Sequence, residues 1–95
     1  MADGVFSALS HPTRRAVLRE LARRDWMLVG ELVDALDVAG PTLSGHLRIL
    51  READLVVAER RGTTIRYSAN ASVVESAFAA FLQSLGVGRA APPTG

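Results

Sequence analysis

Ala39 to Ala53, AGPTLSGHLRILREA, carries on one predicted helix an evenly spaced apolar stripe and a set of short polar and basic residues. Leu43, Leu47 and Leu50 stand at i, i+4 and i+7, so one face packs inward, while Thr42, Ser44, Gly45, His46 and Arg48 fall mainly on the other faces. Such a helix is held by a core and still offers its front to a partner. The front bears hydroxyls, an imidazole and a guanidinium, with no carboxylate before Glu52, which suits the acceptor-rich major groove of DNA. Just downstream, Val56 to Arg60 and Thr64 to Ser68 lean to β structure around Arg61-Gly62-Thr63 and read as a basic hairpin.

Upstream the chain reads as three further helices. Asp3 to Leu9 forms a short one with Val5, Phe6 and Leu9 apolar. Pro12 fits the first turn of the next, where its missing amide hydrogen costs nothing, and Ser10 or His11 is the cap candidate. This second helix runs to about Arg23, with Val17, Leu18, Leu21 and Ala22 as its buried stripe and Arg14, Arg15, Arg19, Arg23 and Arg24 around it. A third, Val29 to Leu36, buries Leu32, Val33 and Leu36, and Asp37 to Gly40 leads into the fourth. Two helices joined by so short a turn form a helix-turn-helix. Ala39 has no acceptor with which to cap the fourth helix, so Gly40 is expected as its N-cap and Pro41 as its first residue. Gly45 in mid-helix costs about 1 kcal/mol relative to alanine, and either close approach to DNA or a forfeited base contact is the reading of that position.

Beyond the hairpin, Ala71 to Leu85 repeats apolar residues at Val74, Ala77, Phe78, Phe81, Leu82 and Leu85, a full helical stripe. No helix remains within the chain to cover all of it. Together with Val5, Phe6 and Leu9 it is therefore assigned to a two-fold dimer interface. Gly86 and Gly88 stop this helix. The expected organisation is one domain over residues 1–86 and a disordered C-terminal tail over 87–95. The fold class that follows is mainly α with a β-hairpin wing, a winged helix-turn-helix of order ααααββα acting as a homodimer.

A chain of 95 residues is one domain, and at that size folding buries only a little over half of the surface the unfolded chain exposes. With 48% of residues hydrophobic, some apolar surface is expected to be hidden by association. The absence of cysteine excludes disulfides, thiolate metal sites and thiol redox switches. No apolar run is long enough to span a bilayer, and Met1 to Ser10 lacks the pattern of a signal peptide, so the expected location is cytoplasmic, without membrane insertion. A net charge of +1 does not by itself announce nucleic-acid binding. The distribution is more telling: residues 1–38 hold five arginines against six acids, and residues 39–68 hold five arginines against three. Every basic side chain is arginine, which suits guanidinium recognition of phosphate and guanine but is better read, in so alanine-rich a chain, as codon or genome composition.

Three sequence segments bear a family likeness. Phe6 to Arg15 (FSALSHPTRR), Pro41 to Leu50 (PTLSGHLRIL) and Arg61 to Tyr67 (RGTTIRY) resemble, in order and spacing, the arsenic-repressor (ArsR/SmtB) family of small dimeric winged-helix repressors of bacteria. The likeness covers Val5 to Leu85, and the opening segment is similar to the Sdp-type autorepressors within it. The resemblance implies that Thr42, Ser44, Gly45 and His46 face the DNA groove and that Arg60 to Arg66 form the wing. The departures concern sensing. Where thiolate-sensing members carry paired cysteines this chain has Leu28, Val29 and Gly30, and where zinc-binding members use histidines and carboxylates of the last helix it has only Glu75.

Other reactive side chains have plainer readings. His46 has no His, Cys or carboxylate at i±3 or i±4 and is read as a contact to phosphate or a base edge, His11 as part of the capping turn beside Pro12, and Trp26 as a hydrophobic plug. Arg14 and Arg15 are read as ion-paired or solvated at least as readily as phosphate-bound. No glycine-rich phosphate loop, nucleophile elbow or carboxylate pair is present, so no enzyme is expected, and no catalytic residue, metal or cofactor.

The sequence thus predicts a repressor that binds an inverted-repeat operator in double-stranded DNA as a homodimer. Its DNA-binding residues are Pro41, Thr42, Ser44, Gly45, His46, Arg48, Arg60, Arg61, Thr63 and Arg66. Control is expected from protein concentration, from a sequestering protein partner, or from a small organic ligand between the helices. The alternative is a winged-helix protein-interaction module that does not bind specific DNA.

Overall fold

In the computed structural model, which describes residues 2–86, the order of elements is α1 (Ala2–Leu9), α2 (Pro12–Ala22), β1 (Met27–Leu28), α3 (Val29–Leu36), α4 (Gly40–Glu52), β2 (Val56–Arg61), β3 (Thr64–Ala69) and α5 (Ala71–Ser84). The sequence reading missed β1. Two residues are too few to show a period, yet Met27 and Leu28 pair with Tyr67 and Arg66 and make the sheet three-stranded, in the order β1-β3-β2 with antiparallel neighbours. The expected tail, residues 87–95, lies outside the described residues.

Helix ends follow from local chemistry. His11 caps α2 by accepting the Thr13 N–H at its Nδ1, 3.1 Å away, with Pro12 next in line. Arg14 and Arg15 turn back onto α1, donating to the carbonyls of Ser7 (3.4 Å) and Leu9 (2.8 Å), where the helix C-terminus concentrates negative partial charge. This takes the place of the expected ion pairing with acids; Arg14 is left only 9% exposed, whereas Arg15 stays exposed to solvent as expected. Glu31 bonds the Leu28 N–H at 2.9 Å and so caps α3 from within. At α4 the expected cap is corrected: the N-cap is Ala39, which makes no side-chain bond, and Gly40 and Pro41 are the first two helical residues.

Two helices stop on aspartate where glycine is usual. Asp37 closes α3 and Asp54 follows α4, both with positive φ. After α4 the Asp54 N–H bonds the Arg51 carbonyl and the Leu55 N–H bonds the Leu50 carbonyl, each at 2.9 Å, a Schellman closure. It sends Leu55 and then Val56 into the core.

The core collects Val17, Leu18 and Leu21 of α2, Leu32 of α3, Leu43, Leu47 and Leu50 of α4, with Met27, Leu55 and Ala77 around them. Of the stripes expected on α2, α3 and α4 only Ala22 turns out exposed, while Val33 and Leu36 are half-buried. The first half of α5 packs on this body through Val74 and Ala77, whereas Phe78, Phe81 and Leu85 stand 58%, 42% and 61% exposed.

Candidate nucleic-acid interface

Burial of Leu43, Leu47 and Leu50 at 0%, 2% and 0% exposure fixes which way α4 points. Pro41, Thr42, Ser44 and Arg48 are exposed on its outer side, Gly45 is half-buried, and Arg51 extends the arginine side by a further turn. Spacing could have added Arg51 to the candidates, since it follows Arg48 at i+3. A Cβ at Gly45 would meet no atom within 4 Å, so the fold does not require glycine there. With no side-chain cap at Ala39, the first-turn amides of α4 are left to bond something other than a side chain of this chain.

His46 is placed differently from its neighbours. Its ring lies against that of His11, centroids 4.5 Å apart and planes tilted by 54°. Its Nδ1 is buried without a hydrogen-bond partner among the described residues. Burial, then the neighbouring His11 and Arg14, lower its pKa from the ordinary 6.5, so the neutral ring is favoured. The chain's two histidines thus join the cap of α2 to the middle of α4, a pairing that no local spacing reveals.

The wing is the β2–β3 hairpin. Arg61 pairs with Thr64 across a two-residue Gly62-Thr63 turn, and Gly62 takes the positive φ (+61°) that such a turn asks of its first residue. The Thr64 hydroxyl donates to the Arg61 carbonyl at 2.9 Å and braces the tip. Arg60, Arg61 and Thr63 are exposed. Arg61 has Glu59 at 3.2 Å, but both side chains are more than half exposed and such a pair is readily exchanged. Ser44 of the helix and Thr63 of the wing line one open recess of about 710 Å³, together with Glu31 and Asp34 of α3.

Arg66 is not at the tip. Its guanidinium carbon lies 4.0 Å from the centroid of the Trp26 ring, and Trp26 is 39% exposed. The expectation that Trp26 is a hydrophobic plug is therefore corrected. Trp26 offers its face to a cation of its own chain.

Comparison with known proteins agrees with this architecture. Residues 9–59 match the family described as a helix-turn-helix domain. The transcriptional repressor SdpR of Bacillus subtilis (strain 168) is 37% identical over 73 residues, 77% of this chain and 80% of that protein. Among solved structures, NolR from Sinorhizobium fredii superposes with a TM-score of 0.74 at 32% identity, over 90% of this chain and 85% of that one. The ArsR-like transcriptional regulator from Rhodococcus sp. RHA1 superposes at 0.77 and 32% identity, over 90% and 78%. The chain belongs to the ArsR/SmtB family. Its fold is accordingly that family's winged helix-turn-helix, with α3 and α4 as the helix-turn-helix and β2–β3 as the wing.

Leu28, Val29 and Gly30 supply no side-chain donor and α5 supplies only Glu75. Among the described residues no three His, Cys, Asp or Glu gather where they could take an ion. Nor, among those residues, is any helix long and apolar enough to cross a membrane.

Proposed function

We propose that this protein is a transcriptional repressor that binds an inverted-repeat operator as a homodimer, each subunit placing α4 in a major groove. The observation that carries the reading is the exposed front of α4, Pro41, Thr42, Ser44 and Arg48, standing beside a wing with exposed Arg60 and Arg61. Thr42, Ser44 and Arg48 read base edges, the open space before Gly45 admits close approach, and the His46 ring contributes at the margin of that surface. Arg60, Arg61 and Thr63 hold the sugar-phosphate backbone, as do the uncapped first-turn amides of α4. SdpR, named a transcriptional repressor, supports the sign of the effect.

The two-fold axis is supplied by α1 and α5. Phe6 meets Phe81 edge to face at 5.9 Å, and with Leu9 and Phe78 they line an apolar hollow of about 460 Å³ rimmed by Ser10 and Arg15. A second copy brings the same surface and covers both at once. Ala77, expected at that interface, is already buried in its own chain, and Val5, Leu9 and Val74 lean on the core, so Phe6, Phe78, Phe81, Leu82 and Leu85 carry the contact. Half-sites then lie about 34 Å apart on one face of the duplex.

Selection of bound fragments from a random DNA library tests this. A palindromic consensus with that spacing is expected; failure to enrich any sequence would favour a protein-interaction module. Since the chain lacks the donors that metalloid, metal and persulfide sensing need, titrating zinc, copper, arsenite or polysulfide into the operator complex is expected to release no DNA. Stoichiometric release by one of them would reveal a sensor site. Control by protein concentration, by a sequestering partner or by a small organic ligand is the remaining set.

A further inference from the structure

Trp26 and Arg66 meet although one precedes β1 and the other lies within β3. The register sets Leu28 opposite Arg66 and Met27 opposite Tyr67, so by strand alternation Trp26 falls on the face that carries Leu28 and Arg66, away from buried Met27. Glu59 stands opposite Arg66 on β2 and is drawn to Arg61. The indole is thus the partner the structure gives to the Arg66 guanidinium, well within the range at which a cation is held by an aromatic face.

The stack spans the seam at which the wing is joined to the helical body. A hairpin alone is marginal in water, and β1, two residues long, is the strand that ties β3 to the segment between α2 and α3. Val56, Tyr67 and Ala69 anchor the base of the hairpin in the core, and the stack adds a tie on the opposite face of the sheet.

We propose that Trp26 is a positioning residue for the wing: acting through Arg66, it braces the hairpin at the angle from which Arg60 and the tip meet the DNA backbone. This rests on the DNA-binding reading above. It removes Arg66 from the residues expected to touch DNA directly. Losing Trp26 is then equivalent to losing Arg66, and neither loss changes the number of phosphates neutralised.

Trp26 is the sole tryptophan, so its emission reports on the stack in the free protein. Arg66→Ala is expected to shift that emission. Arg66→Ala and Trp26→Ala should both speed amide exchange along residues 64–69, and Trp26→Phe, which keeps an aromatic face, should restore protection. On the selected operator, each alanine variant should weaken binding several-fold, the double variant no further than either alone, with the wild-type slope of log K against log salt. The proposal is overturned if Arg66→Ala lowers that slope by about 0.9 while Trp26→Ala leaves affinity intact, or if neither alanine variant alters exchange along β3. If the unmodified protein binds no DNA, the functional reading fails, while emission and exchange still decide the brace.

Discussion

His46 shows how one side chain serves two demands at once. Its ring is half-buried against His11, and its pKa is lowered by burial first and by His11 and Arg14 next, the first capping α2 and the second in its first turn, with no carboxylate among these causes. The unfolded chain therefore takes up a proton at higher pH than the folded one. Stability contributed by the neutral ring is complete above pH 6.5 and is lost as pH falls through the lowered folded value. His46→Gln, which does not titrate, is expected to flatten the fall in Tm between about pH 7 and pH 5; a fall as steep as in the unmodified protein would place the titration on another group. Gly45 poses the converse case, a residue that the protein's own packing does not demand. Gly45→Ala should stabilise the fold by about 1 kcal/mol through helix propensity, read in denaturant melts. It should also weaken operator binding, because the space the methyl enters is the space proposed for DNA. Unchanged affinity would show that the duplex keeps its distance from that turn of α4.

Division of labour between elements is the next level. Arg60→Ala with Arg61→Ala is expected to weaken binding to every DNA sequence and to flatten its salt dependence, since phosphate contacts release counterions whatever the bases. Thr42→Ala or Ser44→Ala should instead shift sequence preference, by about 1 to 3 kcal/mol at the base pair read. Competition binding against operator variants at two salt concentrations distinguishes them, and a consensus shifted by the wing variants alone would reverse the roles. These elements were legible because their signals are local. Leu43, Leu47 and Leu50 orient α4 by spacing, and Gly62 between two β-leaning runs marks the wing. Helix ends were less so: α3 and α4 close on Asp37 and Asp54 in the left-handed region, where glycine would have announced the stop, and α4 begins one residue early on an uncapped Ala39. Strand β1 and the pairs His11–His46 and Trp26–Arg66 join residues distant in the chain. Only the folded path brings such residues together, so no window along the sequence contains them.

For the whole molecule the decisive question is what covers the far half of α5. Val74 and Ala77 are used up on the chain's own core, but Phe78, Phe81 and Leu85 remain exposed beside Phe6. Three large apolar side chains in one stripe form the kind of patch that association hides. In the proposed homodimer a two-fold partner presenting the same stripe would bury all of them, and the inverted-repeat operator requires that it also set the two copies of α4 at the spacing of successive major grooves. Phe78→Asp is the sharper test of this, because Phe78 is 58% exposed in the single chain whereas Phe81 also packs on Phe6. A carboxylate there is solvated in the monomer and left unpaired in an apolar interface in the dimer, where its burial is strongly disfavoured. The variant is therefore expected to keep the helical circular dichroism of the parent, to run as a monomer in light scattering, and to lose operator binding together with dimerisation, since a single subunit spans only one half-site. A Phe78→Asp protein that still scattered as a dimer would place the interface elsewhere and withdraw α5 from it.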